Sequence, residues 1–432
     1  MKTTIELTAL AASIGITLGM LAAPAKAQSP PTTEQRAVGA YSTIESSVPY
    51  QLVIKAQGAS ALSLSGPKET LDNIETVISG DTLVIRSRIR TKWRISFGRT
   101  KADLVTIAVT APMLKALKVS GSGDVELDQL TGDQFAIKAA GPGDVRVSGA
   151  VRELSVNASG SGDLNLSRLA VTNARMAMSG PGDVDLGGLS GELMTENSGS
   201  GDLRATALRA TRVVARMSGP GTITLAGASD ELKVDVSGSG QFEGCGLAVE
   251  AASVHLSGPG DACVSGKINS FEGQVHGSGD LAVRGLQSAQ ARVQLSGPGN
   301  MKLAGTVGAL AASLSGSGSL DAAQLNVTSA EITSSGPGHT RLATVSGSLR
   351  ANLNGSGGLQ AALLAKNAEL NMDGPGTVRL SGNVETLKVM LHGSGNLEGA
   401  TLVAARSDVR VDGPGTARVG ESRFASRSGN AR

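Results

Sequence analysis

Aspartate recurs at one fixed place in this chain. Asp124, Asp144, Asp163, Asp183, Asp202, Asp261 and Asp280 each follow directly on a Gly-Ser-Gly or Gly-Pro-Gly unit. A ladder of carboxylates could hold Ca²⁺, a hard cation that takes several oxygen ligands. The same offset, however, carries Thr222, Gln241, Asn300, Ser319, His339, Gly358, Thr377, Asn396 and Thr416. Most of these can bond a backbone amide at a turn, and few can replace a carboxylate on calcium. Calcium-binding nonapeptide repeats also have a different period. Stacked carboxylates would repel one another by about 1 kcal/mol even in water. Local capping of the turn is the expectation, with no metal and no cofactor.

Other chemistries find less. His255, His276, His339 and His392 are scattered, although His276 and His392 share the position just before Gly-Ser-Gly. They give no nucleophile–base set. Gly-x-Gly here precedes strands rather than a helix, so no helix N-terminus meets a phosphate. A polysaccharide lyase or hydrolase would need a cleft, often built on inserted loops, and aromatic platforms. The repeat runs without insertion, and residues 121–432 hold only Phe135, Phe242, Phe271 and Phe424 as aromatics. No catalytic residue is expected. Net charge is +2, which gives no field favouring nucleic acid.

One basic stretch stands out: Arg86-Ser87-Arg88-Ile89-Arg90-Thr91-Lys92-Trp93-Arg94. As a strand it sets Arg86, Arg88, Arg90, Lys92 and Arg94 on one face, with Ile89, Trp93 and Ile95 on the other. The plain reading is a solvated face or a charged guard on a sheet edge. The functional reading is a contact for acidic glycans, lipopolysaccharide or an anionic partner. Cys245 and Cys263 occupy different offsets in their repeats. A disulfide and two buried thiols are both open for them.

The elements that carry these residues follow from periodicity. Gly-x-Gly units start at Gly121, Gly141, Gly160, Gly180 and so on to Gly393 and Gly413, their centres alternating Ser and Pro (Ser122, Pro142). The step from Gly121 to Gly141 is one position longer than the step from Gly141 to Gly160, and this alternation mostly persists. The true unit is therefore a double repeat of about 39 residues, carried eight times, and such a period means a solenoid or array. Apolar residues around each unit alternate with period two, as in Leu232, Val234 and Val236 before Gly238. That is the pattern of strands. Gly121-Ser122-Gly123-Asp124 and Gly141-Pro142-Gly143-Asp144 read as tight turns, since Pro lacks the donor a strand interior needs. Leucine follows each Gly-Ser-Gly start at one fixed offset, from Leu130 to Leu402, and glycine follows most Gly-Pro-Gly starts at another, as at Gly149. A coil of one whole double repeat would stack each position on its own kind, and is preferred here over a coil of half that length. Eight such coils at about 4.8 Å give a rod of roughly 40 Å.

The remaining boundaries are read the same way. Residues 1–27 resemble a secretory signal, with Lys2, an apolar stretch over 5–21 and Ala25-Lys26-Ala27. Export to the periplasm, outer surface or medium follows, with no transmembrane segment in the mature chain. Residues 28–34 read as a loose linker, 35–115 as a non-repeating β cap, 116–420 as the solenoid and 421–432 as a polar tail. Ser65-Gly66-Pro67 looks like an outlying copy of the turn.

The segment Tyr41-Ser42-Thr43-Ile44, with Pro49-Tyr50-Gln51-Leu52-Val53-Ile54-Lys55, Gly80-Asp81-Thr82-Leu83-Val84-Ile85 and then Ala111-Pro112-Met113-Leu114 through Gly121-Ser122-Gly123-Asp124-Val125, resembles the head GIN domain of putative auto-transporter adhesins. The resemblance covers nearly all of the mature chain. It implies a right-handed parallel β-helix with Gly-Ser-Gly turns between two sheets, no catalytic residues and an adhesive role. This chain departs in its length and in placing Pro in every second turn, which bears on the ligand and not on the fold. The expected protein is an exported, non-enzymatic envelope or surface protein with a glycan or protein partner, its oligomeric state left open. A carbohydrate-active enzyme or glycan-binding module is the alternative.

Overall fold

The computed structural model describes residues 32–88 and 105–425, and these form an all-β solenoid with one short helix. Parallel strands stack rung on rung. Val145 lies between Val125 of the rung before and Leu164 of the rung after, and this step of one Gly-x-Gly unit per rung holds along the repeat. The coil is therefore half of the double repeat, and the expected coil of a whole double repeat is wrong. About 15 rungs stack in all. At about 4.8 Å per rung the rod is roughly 70 Å long.

The reason is that a β-ladder is blind to side-chain identity. Each rung needs hydrogen-bond partners and an apolar residue in each inward column, and any apolar residue suffices. One such column runs Val145, Leu164, Val184, Leu203, Ile223, Phe242, all but fully buried. Pro142 stacks near Ser122 and Ser161 at no cost because the turn bonds skip the central residue. The second glycine donates to the first glycine of the rung below, as Gly162 N–H does to Gly141 O at 3.2 Å. A Cβ on Gly160 would fall onto the carbonyl oxygen of Gly141, which is why the flanking positions are glycine.

The double period has its own cause. Register moves from Leu127 beside Val147 to Leu130 beside Gly149, so the Gly-Ser-Gly rung spends one extra residue at the outer corner. This is a bulge. Gln129 (φ 62°) and Ala207 (φ 58°) mark it in two rungs. Gly149 (φ 140°) sits over Leu130, where a side chain would strike the Leu130 carbonyl. Bulged leucine rungs and flat glycine rungs thus alternate. Where the spacing shortens, Leu363 takes the buried place beside Gly382, and Leu364, expected there, is 62% exposed. The strands run on through this corner, so the walls of the coil form one continuous hydrogen-bonded sheet around the core.

The N-terminal part closes one end. The strands Thr43–Ser46 and Gln51–Lys55 form a rung between Ala116–Val119/Val125–Ala139 on one side and Thr82–Ser87/Thr106–Thr110 on the other. Beyond it, Ile74–Ser79, Ala61–Gly66 and Thr32–Arg36 pair antiparallel, which breaks the template for further stacking. Residues 32–34, expected to be loose, belong to that outer strand. Ser65 and Gly66 also end a strand, and Pro67 caps the helix Lys68–Leu71, so this is no copy of the repeat turn. The true outlying copy is Val48-Pro49-Tyr50: Gly123 N–H donates to Val48 O at 3.2 Å, the bond that later turns repeat. At the other end Ser422–Ala425, within the stretch read as a polar tail, pairs antiparallel with Thr416–Val419.

Candidate functional site

The aspartates come together as a ladder along the turn edge. Asp124 Oδ1 accepts the amide of Asp144 at 3.1 Å, Asp144 that of Asp163 at 3.0 Å, and Asp163 that of Asp183 at 3.0 Å. Asp183 then takes Asp202 at 2.8 Å, and Asp202 takes Thr222 at 2.7 Å. A second run joins Asp261, Asp280, Asn300 and Ser319. Each side chain caps the rung above rather than its own turn, so the expected local cap is corrected to a cap between rungs. The carboxylates tolerate one another because each gains a charge-assisted bond of roughly 1.5–3 kcal/mol against a repulsion of about 1 kcal/mol that water screens further. Among the described residues no group of three His, Cys, Asp or Glu is placed to hold a metal ion.

Of the basic stripe, Arg86 is engaged. Its guanidinium meets Glu75 Oε2 at 2.8 Å across the antiparallel pair, holding that carboxyl below its usual range and raising the arginine's own pKa. Arg88 is exposed, with its backbone N–H on Asn73 O at 2.8 Å. Arg90, Lys92 and Arg94 lie outside the described residues. The histidines decorate the turn edge. His276 Nδ1 is 2.5 Å from Ser296 Oγ, with the His255 ring at 5.1 Å. His392 lies between Asp373 (3.2 Å) and Asp412 (3.7 Å) on opposite sides of its ring, so the three do not converge on a point.

Cys245 and Cys263 are disulfide-bonded, with Cα atoms 5.3 Å apart. Their unequal offsets are reconciled by a register slip: Gly244 pairs with Val264, but Ala248 pairs with Ser265. Two further residues carry no periodic signal. Arg36 ties the outer strand to the cap, donating to Leu71 O, Ile74 O and Thr76 Oγ1 while paired with Glu34. Asn197, 2% exposed, replaces an aliphatic residue beneath a turn and bonds Gly201 O and Gly199 N–H.

Concave features recur on one wall, along the arm that leads into each turn. Shallow grooves of about 450, 360 and 510 Å³ follow the same columns at three heights on the rod. Their floors are buried residues such as Leu154 and Leu349, and their sides are polar: Glu153, Asn173 and Arg175 in one, Ser329, Arg350 and Glu369 in another. Charges there are cross-linked between rungs, as in Arg350–Glu369–Lys388 at 3.2 and 3.3 Å. The wall offers an extended polar surface rather than a convergent reactive centre.

Comparison with known proteins places this architecture. A sequence profile described as "Putative auto-transporter adhesin, head GIN domain" matches residues 40–192, 188–280, 263–362 and 345–426. No curated protein matches the chain. Among solved structures, a putative adhesin from Bacteroides fragilis NCTC 9343 is similar at 21% identity, over 59% of this chain and 97% of that one, with a TM-score of 0.39. A putative adhesin from Parabacteroides distasonis ATCC 8503 matches at 13% identity over 77% and 97%, TM-score 0.30. A putative lipid binding protein from the same organism matches at 15% identity over 90% and 95%, TM-score 0.19. With profile matches running from residue 40 to residue 426, the chain belongs to the family of the putative auto-transporter adhesin, head GIN domain.

Proposed function

We propose that this is an exported, non-enzymatic envelope or surface protein that binds a partner along the side of its solenoid. The observation that carries the reading is the set of polar-sided grooves with apolar floors repeated on one wall, which offers many weak contacts in register rather than one convergent site. The signal-like start and the Cys245–Cys263 disulfide support passage to an oxidising compartment. Family membership supports the adhesive role. Surface proteolysis of intact cells with fractionation tests the location, and a glycan array beside a protein pull-down tests the partner. Reversing Arg175, Arg350 and Lys388 to Glu on that wall should lower cell or ligand binding about tenfold or more. Unchanged binding by the triple variant would remove the wall from the reading.

A glycan-binding role for the basic stripe is the second reading, favoured by the exposure of Arg88. Arg88→Glu should then weaken binding to acidic glycans and leave neutral ones alone. An indifferent Arg88→Glu protein would end that reading.

A further inference from the structure

The two ends of the rod are finished differently. At the N-terminal end, antiparallel strands and a helix leave Leu62, Leu64, Leu71 and Ile74 buried. At the other end, the strand Leu402–Val411 pairs with Thr377–Leu391 on one side only, among the described residues. Its inward positions show the difference. Leu387, Val389 and Leu391 are at most 1% exposed, whereas their stacked successors Ser407, Val409 and Val411 are exposed or half-buried.

Among the described residues, the outer backbone groups of this edge have no pairing strand in the same stretch. Asp412 N–H donates to Leu391 O, so by the alternation of a parallel ladder residues 406, 408 and 410 face the rung below. The N–H and C=O groups of 407, 409 and 411 then point outward. On the facing wall, Thr416–Val419 and Ser422–Ala425 stand beyond this level. The edge therefore lies at the foot of a step formed by those two strands.

The charge on the edge says what a segment added there should carry. Following the register from rung to rung, Arg406 falls in the column of Arg212, and Arg410 in the column of Arg216. Inside the rod, the rung bearing Arg212 and Arg216 is covered by one bearing Glu231 and Asp235, with ion pairs of 3.5 and 3.9 Å. Between those acids stand Leu232 and Val234, buried, with Lys233 outward. The Arg406–Arg410 rung has the same two arginines, adds Asp408 where Lys233 would face it, and has no cover among the described residues.

We propose that the Leu402–Val411 edge binds an extended segment of a partner protein by strand addition, taking acidic side chains four residues apart onto Arg406 and Arg410 with apolar side chains between them over Ser407 and Val409. This contact is separate from the side-wall reading above and survives its failure.

The probe is a fluorescent synthetic peptide copying residues 229–237, titrated into the full chain and followed by anisotropy. The expected result is saturable one-to-one binding. A peptide with Lys in place of the acids copied from Glu231 and Asp235 should bind the native protein about tenfold or more weakly, and the Arg406→Glu/Arg410→Glu protein should reverse that preference. Val409→Pro removes an outward N–H that the rod does not use, and should abolish binding while the circular dichroism spectrum is kept. If Val409→Pro disturbs the spectrum, the charge swap alone decides. No saturable binding to the native protein, or binding indifferent to the charge swap, would overturn the proposal.

Discussion

The turn shows how narrowly single residues are specified. Glycine is demanded at the two flanking places because the preceding rung's carbonyl occupies the volume of a Cβ. The place between them is free, being unused by the ladder. Gly160→Ala should therefore lower stability by about 3 kcal/mol, while Pro142→Ser should change it by less than about 1 kcal/mol. Thermal unfolding of the two variants checks the contrast, and equal losses would contradict it. Tyr41 makes a second prediction. It is 7% exposed and donates to Thr110 O at 3.0 Å, and burial pushes its phenol up to about 12. An unfolded chain releases that proton near pH 10. Between those values the native state holds more protons than the unfolded state, so stability is intact below about pH 10 and falls as pH rises towards 12. Tyr41→Phe should flatten that alkaline decline in melting temperature; an unchanged slope would place the loss elsewhere.

At the scale of the element, strands and turns are legible in the sequence because the alternation of Leu232, Val234 and Val236 and the recurrence of Gly-x-Gly are local signals. The coil is not. A coil of half the double repeat and a coil of the whole both satisfy the pattern, and the likeness of Leu130 to Leu169 suggests stacking like on like. Backbone hydrogen bonds instead pair Leu130 with Gly149, and only the bulge at Gln129 makes the two compatible. The same effect hides the disulfide, since the slip between Gly244 and Ala248 brings unlike offsets together. Arg36 and Asn197 each break the pattern once, and a periodic reading has nothing to say of a single exception. The bridge closes a loop of one rung, with a sequence separation of 18. Its removal by Cys245→Ser/Cys263→Ser should cost about 3 kcal/mol by the chain-entropy argument. Amide exchange should rise first in Ala262–Ile268, where the ladder is already irregular. Faster exchange spread evenly over all rungs would count against a local clamp.

For the whole molecule, the candidate surfaces follow from the repeat: a capping ladder on the turn edge, grooves on one wall and an open strand at one end. The aspartates are visible in the sequence, but their partners are not, because the amide of the next unit becomes a neighbour only once the coil is known. All of this rests on one rung for every Gly-x-Gly unit. Spin labels at Ser122→Cys and Ser278→Cys, on turn tips eight such units apart, measure it directly by pulsed electron resonance. Stacking at this pitch places the labels about 38 Å apart; a separation of about 19 Å, which a coil of a whole double repeat would give, would contradict it.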